Sequence, residues 1–148
     1  MTEISFYHLT ASPLERVLPR LLVKVLENGG RAVVLGQDEA RLKLLNDQLW
    51  TTTKTFIPHG MKSEGQPERQ PVYLTLEEEN PNQANFLVLV DGRETAYIGE
   101  FERCMDMFDG GDEEAVKQAR ARWKRLKDAG HTLTYWQQDE KGSWQKAG

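Results

Sequence analysis

A single cysteine among 148 residues leaves no partner for an intramolecular disulfide and rules out a metal site built on paired thiolates. A reducing, cytoplasmic setting is the expectation. The three histidines, His8, His59 and His131, lie far apart, and none has a second ligand type at the short spacing that zinc or iron sites prefer. No metal is therefore expected. No run of about eighteen consecutive apolar residues occurs, and the opening MTEISFYHLTASP lacks the basic start and apolar stretch of a secretory signal. These absences predict a soluble protein with no membrane contact.

The motifs of cofactor and hydrolytic chemistry are missing as well. There is no GxxxxGK[ST], HExxH or GxSxG. Gly36 follows an apolar run as in a dinucleotide fold, but VLGQDEA lacks GxGxxG, and Asp38 would set a negative charge beside a pyrophosphate. Gly36 reads instead as a tight turn and Asp38 as a helix cap. Cys104, in FERCMDM, has only Arg103 as an adjacent cation, so it is expected in the core and not as a catalytic thiolate. No cofactor and no catalytic activity are expected.

Hydrophobic periodicity gives the fold. Ile4 to Leu9 alternates like a strand. Ser12-Pro13 then opens a helix in which Leu14, Val17, Leu18, Leu21, Leu22, Val25 and Leu26 repeat at helical spacing. Ala32 to Leu35 is a continuous apolar run, the pattern of a strand buried on both faces, and Asp38 caps a second helix over Glu39–Trp50. Strand, helix, strand, helix predicts parallel pairing with right-handed crossovers. Gly60 to Pro71 is polar and reads as a surface excursion; Pro71–Leu76 and Asn85–Val90 read as strands; Glu100–Phe108 reads as a short helix passing into a strand. Thr132–Trp136 adds a last strand. The expectation is a single α/β domain over residues 1–136, with an open, mixed and largely parallel sheet, helices on both faces, and a Rossmann-like topology without a nucleotide site. Residues 137–148 are polar and expected to fray.

Against a net charge of −4, the stretch Ala115–Lys127 inverts the balance, with six basic side chains, no acidic one and a Trp among them. Asp112, Glu113 and Glu114 stand where a helix N-terminus favours negative charge, and Gly130 where a left-handed residue closes a helix. At helical spacing Val116, Ala119, Trp123 and Leu126 form one stripe, and Lys117, Arg120, Lys124 and Lys127 the stripe beside it. Such a ridge is either an ordinary solvated face or a seat for an anion. The overall acidity disfavours a duplex, whereas a short acidic tail ending in a carboxylate suits Arg, which grips carboxylates bidentately, flanked by Lys point charges. A second unusual segment is LNDQLWTTTKTFIPHG, where Trp50, Phe56 and Pro58 mark either a protein contact or the core. His59 beside them is a candidate base without a nearby nucleophile, or a residue that orients the strand end by hydrogen bonding.

The succession FYHL, RAVVLGQDEARLKLLNDQLW, TFIPHG, NFLVLV and ARARWKRLKDAGHTLTYW resembles the chi subunit family of bacterial DNA polymerase III holoenzyme over nearly the whole chain. The resemblance implies a non-catalytic α/β subunit of the clamp-loader assembly that joins the psi subunit to the acidic, Pro-Phe-ended C-terminal tail of single-stranded-DNA-binding protein. It would meet DNA only indirectly and be a monomer outside the complex. It further implies that Arg120 takes the tail's terminal carboxylate and that Trp123 replaces the family's usual Tyr against the apolar end. Lys124 and Lys127 would meet the acidic residues, with Lys117 one position after a family Lys and Phe108 lining the pocket. Phe56 would face psi, with Trp50, Pro58 and His59 as neighbours. Two rival readings are direct binding of single-stranded nucleic acid by the basic helix, and an open α/β enzyme with its site near Gly36, His59 and Asp91.

Overall fold

The chain folds around one eight-stranded sheet in the order β3-β4-β2-β5-β6-β1-β7-β8, in a computed structural model that describes residues 2–49, 51 and 57–147. The elements run β1 (Glu3–Leu9), α1 (Leu14–Glu27), β2 (Ala32–Leu35), α2 (Glu39–Gln48), β3 (His59–Met61), β4 (Val72–Thr75), β5 (Phe86–Val90), β6 (Arg103–Asp109), α3 (Glu113–Asp128), β7 (Thr132–Gln138) and β8 (Trp144–Lys146). Every strand pair from β3 to β7 is parallel, and only β8 is antiparallel to its neighbour. This is the open, mostly parallel Rossmann-like α/β architecture that the alternation of patterns predicts.

Strand alternation divides the core into two layers. Val34, Val88, Val90, Met105 and Met107 face Leu18, Leu22, Leu42 and Leu45 of α1 and α2. Ile4, Phe6, Val33, Leu35, Leu87, Leu89, Cys104 and Phe108 face the other way, toward Ala119 and the stripe Val116, Trp123 and Leu126 of α3. Helices therefore cover both faces. The helix ends follow the expected chemistry: the Asp38 carboxylate accepts from Arg41 N, and Asp112 accepts from the N–H groups of Glu114 and Ala115. Gly130, at φ +92°, takes the left-handed turn after α3.

Three expectations need correction. The second helix ends at Gln48, and Trp50 lies outside the described residues. The polar excursion after Gly60 is tied down: it begins inside β3 and continues as two single turns of 3₁₀ helix, Lys62–Glu64 and Pro67–Arg69. The Glu64 carboxylate holds it by accepting from Met61 N at 2.9 Å and from Asn46 Nδ2 at 2.8 Å. Residues 137–148, expected to fray, instead carry β8, folded back on β7. Asp139 makes the turn by accepting from Lys141 N and Ser143 N, each at 2.9 Å, and Trp144 packs edge-on against Tyr7 at 5.2 Å. The buried Gln138 side chain accepts from the N–H groups of Thr10, Ala11 and Ser12, fastening the hairpin to the turn after β1. One Trp and one Asx-type turn outweigh an otherwise polar composition.

One buried ion pair seats α3. The Arg122 guanidinium, 4% exposed, donates to both oxygens of Asp106 on β6, at 2.8 and 3.0 Å, and Asp106 is 1% exposed. Burial pushes the Asp106 carboxyl above its ordinary range, and the two bonds from Arg122 draw it back only in part. Arg122→Met leaves that carboxylate buried and uncompensated, so urea unfolding should show a loss of about 3–5 kcal/mol. Pairing it with Asp106→Leu should recover most of the loss.

Candidate functional site

Of the six cations on α3, two are already engaged. Arg122 is held by Asp106, and Arg125 pairs with Glu94 on the same side of the helix. Lys117, Arg120, Lys124 and Lys127 form no ion pair among the described residues and are exposed. They are the four that helical spacing sets in one ridge.

The ridge borders a hollow of about 450 Å³ lined by His8, Arg120, Trp123, Tyr135, Gln137 and Ala147. The parallel register explains why these residues meet. Phe6 lies opposite Tyr135, and His8 opposite both Phe108 and Gln137, so alternate residues of β1, β6 and β7 all point toward α3. Trp123 meets Phe6 edge-on at 5.4 Å and Tyr135 at 5.6 Å, which fixes the indole between helix and sheet. Phe108 does not line the hollow. It is buried beneath, 5.0 Å from the His8 ring and 6.1 Å from Tyr135, and supports both. Arg120 follows from α3 itself, three residues before Trp123 and so on the adjoining side of the same turn. The result is a guanidinium at the rim of an aromatic cleft, able to hold a carboxylate while an apolar side chain enters beside Trp123.

Lys117, Lys124 and Lys127 extend the positive charge along α3 without lining the hollow. The acidic Asp112 and Glu114 line a different crevice, at the start of α3, and one Asp112 oxygen is occupied in capping. His8, Tyr135, Gln137 and Ala147 line the candidate site but were not singled out from the sequence. His8 and Tyr135 each fall in a segment that the sequence marks as a strand, but only the strand order makes them neighbours. Nothing in the sequence marked Ala147, whose N–H bonds to the Tyr135 carbonyl at 2.8 Å.

The second segment of interest is only partly described. Trp50 and Phe56 lie outside the described residues. Pro58 is half-buried and His59 buried; the His59 ring contacts the carbonyls of Ile57 at 2.6 Å and Asn46 at 2.9 Å, joining the end of α2 to the start of β3. His59 thus orients a strand end, and it does not join Gly36 and Asp91 in one site. His59 aligns with Val72, at the amino ends of the strands, whereas Gly36 and Asp91 follow the carboxyl ends of β2 and β5. At that carboxyl edge a crevice of about 390 Å³ holds Arg41, Glu15, Asp91 and Asp109, with Arg41 engaged by both Glu15 and Asp91. No group of three or more His, Cys, Asp or Glu could hold a metal ion among the described residues, and no helix there is long and apolar enough to cross a membrane.

Fold and site together define an open α/β domain whose most distinctive feature is a cationic, aromatic hollow against its last helix. Residues 1–134 match the family described as DNA polymerase III chi subunit, HolC, and the chain belongs to that family. It is a family of non-catalytic accessory subunits of the replicative polymerase. A protein of Rickettsia prowazekii (strain Madrid E) named "Probable DNA polymerase III subunit chi" is 35% identical over 109 residues, which cover 73% of this chain and 66% of that protein. The match thus spans just under two thirds of the relative's length. Among solved structures, the C-terminal domain of the DEAD-box protein Dbp5 superposes with a TM-score of 0.61 at 13% identity, over 90% of each chain, a likeness of fold alone.

His8 carries a pH signature. Burial lowers its affinity for a proton, a bond to Gly110 raises it, Arg120 lowers it and Asp109 raises it, with a net shift below the ordinary value. A folded-state value below the unfolded one of about 6.5 contributes stability that is present above pH ~6.5 and lost as pH falls through the depressed value. Between about pH 7.5 and pH 5.5 the urea midpoint of the native chain should therefore fall more steeply than that of His8→Gln.

Proposed function

We propose that this chain is a cytoplasmic replication accessory subunit that seats the acidic C-terminal tail of single-stranded-DNA-binding protein on α3 and, through psi, links it to the clamp loader. The observation that supports this most directly is Arg120. It is a guanidinium at the rim of the Trp123–Tyr135 cleft, in line with three lysines, and none of the four forms an ion pair among the described residues, on a chain whose net charge is −4. In this reading Arg120 grips the terminal carboxylate, Trp123 meets the terminal aromatic ring, and Lys117, Lys124 and Lys127 act as screened point charges on the tail's acidic residues. Phe108 contributes from below, by holding His8 and Tyr135 in place. Phe56 and Trp50, with Pro58 and His59 at the start of β3, are the proposed face toward psi. Pro58 and His59 lie at the opposite edge of the sheet from β7, so the two partners would not compete for space.

Calorimetric titration of an acidic peptide ending in Pro-Phe tests the tail site. Arg120→Ala should weaken binding by about 2 kcal/mol or more, and amidating the peptide's C-terminus should have a comparable effect. Equal affinities would remove Arg120 from the site. Lys124→Ala and Lys127→Ala should each cost less, up to about 1 kcal/mol, and should flatten the salt dependence. Single-stranded DNA binding with a steep salt slope and no dependence on a peptide carboxylate would favour the nucleic-acid reading instead.

A further inference from the structure

Two polar groups in the hollow have no part in that account. His8 Nδ1 and Tyr135 Oη lie 2.6 Å apart, and both residues line the hollow with Arg120. The other ring nitrogen of His8 turns to Gly110, where a Cβ would stand only 2.3 Å from Nε2. Glycine is required there by this close approach.

A neutral imidazole has one N–H. With that hydrogen on Nε2, the nitrogen on the Gly110 side, Nδ1 is an acceptor, and the Tyr135 hydroxyl donates to it. The hydroxyl's only hydrogen then points inward, and its lone pairs face the hollow, the wrong polarity for a carboxylate. One proton on His8 reverses the arrangement. Nδ1–H donates to Oη, and the hydroxyl hydrogen is released to turn outward.

We propose that the Tyr135 hydroxyl is a second anion-holding group of this hollow, beside Arg120, and that His8 is the positioning residue behind it, which takes one proton from solvent as a carboxylate docks. The proposal deepens the reading of the hollow as a carboxylate seat and rests on it. The charged and titratable groups facing His8 are Arg120 from α3, Asp109 from the end of β6 and Tyr135 from β7; on β1 itself its face continues as Phe6 and Ile4. A docked carboxylate offsets the positive charge of Arg120, which otherwise opposes proton uptake by the imidazole. Binding and protonation thus reinforce each other, as linkage requires.

The test is calorimetry of the free-carboxylate, Pro-Phe-ended peptide at about pH 6 and pH 8, in two buffers of different ionisation enthalpy. The native chain should bind about three- to tenfold tighter at the lower pH, with net proton uptake, because a hydrogen bond to a charged acceptor is gained. Tyr135→Phe, which keeps the ring, should remove most of that pH response and weaken binding at the lower pH, while remaining sensitive to Arg120→Ala. His8→Gln should bind with little pH dependence. A native pH response in Tyr135→Phe, or proton uptake unchanged in His8→Gln, overturns the proposal. Should His8→Gln unfold, Tyr135→Phe alone decides. Indifference of the native chain to both Arg120→Ala and C-terminal amidation would instead defeat the carboxylate seat itself.

Discussion

The buried pair Asp106–Arg122 fixes the rotation of α3, and the candidate site depends on that rotation. The helix has a narrow apolar stripe, and within it only Ala119 is buried as completely as the strand residues beneath. Such a stripe constrains the turn of a helix about its axis weakly, because small rotations exchange one partial contact for another. A bidentate guanidinium–carboxylate bond inside the protein does not tolerate that exchange. At 3.6 residues per turn, Arg120 lies about 160° round the axis from Arg122. With Arg122 anchored on β6, Arg120 is presented on the β7 side of the buried stripe, where the hollow is. The charge that looks functional in the sequence is thus partly structural: one cation of the run locates the others.

The sheet contributes the complementary half. His8, Phe108, Tyr135 and Gln137 are far apart in sequence and meet because β1 lies between β6 and β7, parallel to both. Phe6, His8, Phe108, Trp123 and Tyr135 contact one another by edge or tilted ring geometries, each worth about 0.5–1.5 kcal/mol beyond simple burial. A cleft built in this way is preformed, so a ligand side chain enters it without first ordering the walls.

Most of the fold was legible because its signals are local and periodic. The apolar repeat of Leu14, Val17, Leu18, Leu22 and Val25, the run Ala32–Leu35 and the caps Asp38 and Asp112 each announce an element without knowledge of the rest. The ridge of Lys117, Arg120, Lys124 and Lys127 was legible for the same reason, since helical spacing alone sets it apart from Arg122. What stayed hidden is non-local. Strand order decides that His8 and Tyr135 share a wall. The β8 hairpin is held by Gln138 and Trp144 in a segment whose average polarity suggests fraying. Arg122 reads as one more surface cation until Asp106 is seen beneath it, and only the register shows that Phe108 supports His8 and Tyr135 from below.

The shape of the sheet bears on how a linking subunit could work. β3 forms one edge of the sheet, and β7 lies next to the last strand at the other. Six strand intervals of about 4.8 Å separate them by roughly 29 Å. His59 also sits at the amino ends of the strands, whereas the hollow is built from residues toward the carboxyl ends of β1 and β7. Under the proposed reading, the face toward psi and the seat for the tail are therefore diagonal across one continuous, mostly parallel sheet. Sites so separated, with no shared side chain, contribute nearly additively, and neither partner has to displace the other. Binding the tail then gains from tethering alone: a weak, salt-screened contact becomes effective because the assembly at the far edge keeps the hollow at high local concentration near the tail. Strong affinity at the hollow would defeat that purpose by slowing release, and a rim of exposed lysines around a single guanidinium is the arrangement that keeps it modest.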